Sequence, residues 1–91
     1  TTGGTGLGPR DVTPEATRAV LEKELPGLAE RMRREGERSA PTAALSRGVC
    51  GARRRTLIFN LPGSPSGCVE SLETVAGLVS HALQMLAGEG H

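Results

Sequence analysis

The stretch TLIFNLPGSPSGCVESLETVAGLVSHALQMLAG, residues 56–88, constrains the fold more than any other part of the chain. A short apolar run leads through a turn into a long amphipathic segment. Leu57-Ile58-Phe59 is unbroken, the pattern of a strand buried on both faces in an α/β sheet. PGSPSG then forces a sharp loop. Beyond it Val69, Leu72, Ala76, Val79, Leu83 and Leu86 recur at helical spacing. Cys68, Val75, Leu78, Ala82 and Met85 form a second stripe beside them. So wide an apolar arc demands more than one covering neighbour.

The rest of the chain offers little to supply that cover. VTPEATRAVLEKEL, residues 12–25, is expected to be a helix, with Thr13 as N-cap and Pro14 at the first helical position. PGLAERMRREG, residues 26–36, is a second helix, opened by Pro26, stopped by Gly36 and directing Leu28 and Met32 inward. ERSAPTAAL is an irregular connector. SRGVCGARRRTLIFNLPG reads as two short strands joined by a basic turn. Phe59 is the one aromatic residue, so the core must be aliphatic. A small aliphatic core is a weak basis for independent stability. Partners or further chain are therefore expected.

Eleven Lys and Arg against ten Asp and Glu leave a net charge of +1. That balance, with a single aromatic, excludes a dedicated nucleic-acid binder. No apolar run approaches the ~18 residues of a membrane span. Cys50 and Cys68 are isolated and fit no zinc spacing; two reduced thiols are expected. His81 has no companion at ligand spacing and reads as a surface residue.

Four stretches have the composition of a site. TTGGTGLGPR, residues 1–10, alternates Thr and Gly. It is neither a Walker A loop nor a G-x-G-x-x-G fingerprint. It is a plain turn, or a cradle in which backbone N–H groups and hydroxyls meet an anion. Asp11 follows, either orienting the next helix or standing beside a phosphate site, where it would meet Mg²⁺ or accept a proton. Ser46-Arg47 precedes the first strand of the pair and by itself is an ordinary surface doublet. Asn60-Leu61-Pro62-Gly63-Ser64 leaves the carboxyl end of the strongest strand, the usual side for ligands in open α/β sheets.

Taken in order, TTGGTG, RDVTPEAT, LSR and NLPGSPSG resemble the molybdenum-cofactor biosynthesis domain of the molybdopterin adenylyltransferase type. Bacterial Mog proteins and the gephyrin G domain share it. The resemblance runs from Thr1 to about Leu86. It implies a three-layer α/β/α domain with a mostly parallel sheet. Residues 1–88 would be the C-terminal portion of that domain, with 89–91 a tail. The first strands and the family's other essential aspartate would precede Thr1, so the 91 residues alone are expected to be inactive.

The implied reaction joins AMP from Mg-ATP to the terminal phosphate of molybdopterin and releases pyrophosphate. Carried over by residue, Gly3, Gly4, Thr5 and Gly6 would hold the pterin's terminal phosphate, helped by Ser46. Asp11 would be the catalytic aspartate, with Mg²⁺ possible through it. Asn60, Pro62, Gly63 and Ser64 would border the adenine nucleotide. Gly36 stands where plant relatives place a phosphate-binding serine. The family implies a cytoplasmic homotrimer that passes its product to a molybdate-insertion protein, with no nucleic acid and no membrane involved. The alternative is a non-catalytic MoaB-like or pseudo-enzyme module that binds pterin or nucleotide.

Overall fold

The computed structural model describes residues 1–88; the expected tail at 89–91 lies outside the described residues. Helix α1 spans Thr13–Arg18, strand β1 Lys23–Glu24 and helix α2 Pro26–Gly36. A short 3-10 helix, Pro41–Leu45, then leads to β2 (Cys50–Arg53), β3 (Thr56–Phe59) and α3 (Pro65–Leu86). The strands form one antiparallel sheet in the order β1-β2-β3. Just past β3, Leu61 makes a parallel bridge with Thr2.

The second helix and the hairpin lie where the sequence places them. Arg54 takes the left-handed conformation, φ 52°, that the tight basic turn between β2 and β3 requires. The first helix is much shorter than expected. It ends at Arg18, and Lys23–Glu24 form strand β1. Glu22 N–H donates to Ala52 O (2.9 Å) and Leu25 N–H to Cys50 O (2.8 Å), so pairing with β2 overrides local helix propensity. Gly51 permits that pairing, since a Cβ there would come within 2.5 Å of Lys23 O and 2.6 Å of the Leu21 side chain. The N-cap is Val12, not Thr13, and no side chain caps this helix.

β3 is an edge of the described sheet, and Leu57, Ile58 and Phe59 are half-buried, not enclosed on both faces. Cys50 and Phe59 stand opposite each other across the β2–β3 ladder. Ala29 and Met32 of α2, Val75 of α3, Cys50 and Leu61 make the core, with Leu28, Phe59 and Cys68 packed at its border. Neither cysteine is in a disulfide.

α3 is the longest helix. Ser64 caps it, its Oγ accepting from Gly67 N–H at 3.2 Å. Only Ser71 and Val75 on it are fully buried among the described residues. Val69 and Met85 remain 57% and 53% exposed, so much of the apolar arc lies uncovered in this chain. No helix among the described residues is long and apolar enough to cross a membrane.

Candidate functional site

The glycine loop folds over the end of β3. Gly3 N–H donates to Leu61 O (2.9 Å), and Leu61 N–H donates to Thr1 O (2.9 Å). Gly3 and Gly4 have φ of 82° and 72°, which glycine adopts without the Cβ penalty. Gly4 also needs its missing side chain for space, because a Cβ would lie 2.2 Å from Thr13 Oγ1. Thr13 is thus occupied in lining the loop, and its N–H donates to Gly4 O at 3.1 Å.

Gly63 meets the same loop from the other side. A Cβ on it would sit 3.3 Å from Gly3 Cα. The two glycine-bearing stretches, sixty residues apart in sequence, therefore lie backbone against backbone. The expected phosphate cradle and the expected nucleotide turn are neighbours.

Asp11 lies at the far end of the loop. Its Oδ2 accepts Gly8 N–H at 2.9 Å, and its own N–H donates to Gly8 O at 3.0 Å. The carboxylate closes the loop; it does not cap α1. Its other oxygen, Oδ1, accepts no hydrogen bond among the described residues. No group of three or more His, Cys, Asp or Glu among the described residues could hold a metal.

Arg47 joins these pieces, and nothing in the Ser46-Arg47 doublet announced it. Its Nε donates to Gly6 O (2.8 Å) and its Nη2 to Asp11 O (2.6 Å). Its Nη1 donates to Glu15 Oε2 at 2.5 Å. Hydrogen bonding to Arg47 holds the Glu15 carboxyl below its ordinary range, and the same bond raises Arg47. The partners lie 41, 36 and 32 residues away in sequence. The detectable signal was only that an Arg followed the LS of a matched motif.

Thr5 is buried, and its carbonyl accepts Arg47 N–H at 2.8 Å. That bond sets Ser46 beside the loop. Ser46 Oγ accepts Gly48 N–H at 3.2 Å and lines a 300 Å³ cleft with Arg18, Arg33 and Arg47. Asn60 is only 3% exposed. Its Oδ1 accepts Val49 N–H (3.1 Å), and its Nδ2 donates to Thr17 Oγ1 (2.9 Å) and Thr1 Oγ1 (3.1 Å). Asn60 is a strut beneath the site, tying α1 and the first residues to the hairpin.

Pro62 and Ser64 open onto a 340 Å³ cavity between the end of α2, the 3-10 helix and the start of α3. Ser39, Thr42 and Ser71 add hydroxyls to its wall, and Gly36 lines it as well. The N-terminus of α3 faces this space with its partial positive charge. Gly36 brings no hydroxyl to this wall, where Ser39 and Thr42 stand beside it.

A family model described as "Probable molybdopterin binding domain" matches residues 1–81. The chain belongs to this family. It is 54% identical to the Mog protein of Mycobacterium ulcerans, with a TM-score of 0.94 over 98% of this chain and 58% of that one. The MoaB structure from Thermus thermophilus is 63% identical, with a TM-score of 0.87 over 98% and 56% of the two chains. A molybdopterin adenylyltransferase of Helicobacter pylori is 47% identical over 88 residues, 97% of this chain and 50% of that protein.

The chain spans 50%, 58% and 56% of the lengths of the Helicobacter, Mycobacterium and Thermus proteins. The α/β expectation holds, since its neighbours are Mog and MoaB folds. Within the described residues the sheet is antiparallel, and the Thr2–Leu61 bridge is the parallel pairing they contain.

Proposed function

We propose that the complete protein is a molybdopterin adenylyltransferase of molybdenum-cofactor biosynthesis, and that this chain supplies its pterin-phosphate cradle and one face of its nucleotide site. The observation that carries the reading is the contact between Gly3 and Gly63. It sets a loop suited to a phosphate against the turn that opens the 340 Å³ cavity. A transfer between two phosphates needs such adjacency, because positioning supplies much of the catalysis in phosphoryl chemistry.

In the proposed reaction the terminal phosphate of molybdopterin attacks the α-phosphorus of ATP, the bond to the β-phosphate oxygen breaks, and pyrophosphate leaves. Backbone N–H groups of residues 4–6 and the Ser46 side of the loop hold the attacking phosphate, while Gly3 N–H stays on Leu61 O and ties the loop to the turn. Pro62, Gly63 and Ser64 border the nucleotide, and Asn60 just before them ties the end of β3 to α1 and to Thr1. Asp11 stands at the reacting edge with Oδ1 open. One carboxylate with substrate phosphates is an ordinary setting for Mg²⁺, which Asp11 would help hold and which neutralises phosphate charge when bound. The homotrimer, the cytoplasmic setting and delivery to a molybdate-insertion protein belong to the same proposal. The exposed apolar residues of α3 support an assembly of this kind.

The test supplies the full-length protein with molybdopterin and Mg-ATP and follows pyrophosphate. Release dependent on both substrates is expected. Binding of either ligand without release would favour the second reading, a MoaB-like binding module.

A further inference from the structure

The guanidinium of Arg47 does more than form an ion pair. An exposed pair contributes little by itself. Here the same planar group donates to two backbone carbonyls, Gly6 O and Asp11 O, while Glu15 takes its remaining face. Asp11 is consequently held at three atoms. Its carbonyl is fixed by Arg47, its N–H by Gly8 O and its Oδ2 by Gly8 N–H. Gly6, in the middle of the cradle, is held by the Nε of that group.

We propose that Arg47, seated by Glu15, is a positioning residue that fixes the Asp11 carboxylate relative to the glycine loop. The inference rests on the adenylyl-transfer reading given above. Arginine is needed because its rigid fork reaches both carbonyls and a carboxylate at once. Lysine carries the charge but is a single flexible point and cannot span all three. Glu15 is the third anchor. It sits in the first turn of α1, so the clamp also ties the loop to the helix that follows it.

The experiment compares wild type, Arg47→Lys and Glu15→Gln as full-length proteins. Turnover is measured per folded molecule with molybdopterin and Mg-ATP, beside the KM for each substrate, the melting temperature and residue-resolved amide exchange. Arg47→Lys is expected to lower kcat on the order of a hundredfold, the effect of misplacing a reacting group by about an ångström, with the KM for ATP little changed. Exchange at Gly8 and Asp11 should speed up while exchange in β2 stays as in wild type. Glu15→Gln should move both readouts in the same direction and by less, because its amide oxygen still accepts from Nη1.

A purely structural Arg47 would lower the melting temperature and leave kcat per folded molecule unchanged; that result overturns the proposal. Unaltered exchange at Gly8 and Asp11 in Arg47→Lys overturns it as well. If wild type itself forms no product, the reaction assignment fails separately, and faster exchange at Gly8 and Asp11 would still establish the clamp.

Discussion

Gly63 lies against Gly3 so closely that a single added methyl would stand 3.3 Å from the Gly3 Cα. A contact this tight between backbones couples the position of the glycine loop to that of the turn before α3. Replacing Gly63 with Ala should displace the loop by a few tenths of an ångström without unfolding the protein. The expected outcome for full-length Gly63→Ala is weaker binding of molybdopterin, read by calorimetry, with a melting temperature close to wild type.

Gly4 makes a harsher test. Its φ of 72° costs a non-glycine residue about 1–2 kcal/mol. The new Cβ would also meet Thr13 Oγ1. Gly4→Ala should lose at least that much stability in urea denaturation and bind molybdopterin poorly.

Asp11 has two separable duties. Asparagine keeps an oxygen for Gly8 N–H and removes the charge. Asp11→Asn should therefore fold and bind pterin normally while losing most turnover. Asp11→Ala should lose turnover and about 1 kcal/mol of stability as well. Equal turnover in Asp11→Asn and wild type would reduce the carboxylate to a loop closure.

Asn60 tests the strut beneath the site. Asn60→Ala removes its three side-chain hydrogen bonds and orphans the buried Val49 N–H. An unsatisfied buried donor costs about 1–3 kcal/mol. Chemical denaturation should show a loss in that range, larger than for any exposed substitution on α2.

The Glu15–Arg47 pair predicts a pH dependence with a definite sign. Folding lowers the Glu15 carboxyl from its ordinary 4.5, chiefly through the hydrogen bond to Arg47. The folded state therefore binds that proton less readily than the unfolded chain does. Its contribution is present above 4.5 and is lost as pH falls through the lowered value. Melting temperature against pH should fall less steeply below 4.5 in Glu15→Gln than in wild type.

Elements with local signals were legible in the sequence. Pro26 and Gly36 bracket α2 and the run of arginines marks the hairpin turn, whereas α3 opens at Pro65, inside the stretch expected to be loop. Residues 19–25 misled because Ala19, Val20 and Leu25 extend a helical pattern, whereas Glu22 and Leu25 pair with Ala52 and Cys50 far along the chain. The glycine at position 51, inside an apolar strand, was the one clue to that close approach. In the candidate site, the backbone course of the glycine loop and of the Pro62-Gly63-Ser64 turn was legible from residue type. Arg47 was not, since every partner of its side chain is remote in sequence. Asn60 has the look of a ligand contact in the sequence, but burial shows its amide committed to the protein.

The central claim is that the cradle and the turn bring two substrates together for transfer, and it is tested most directly by following the label. Full-length protein is incubated with molybdopterin and Mg-ATP labelled at the α-phosphorus, and the pterin is then isolated. The account predicts label on the pterin in wild type and almost none in Asp11→Asn. Label that stays entirely in the nucleotide pool while the wild-type protein binds both substrates would contradict it.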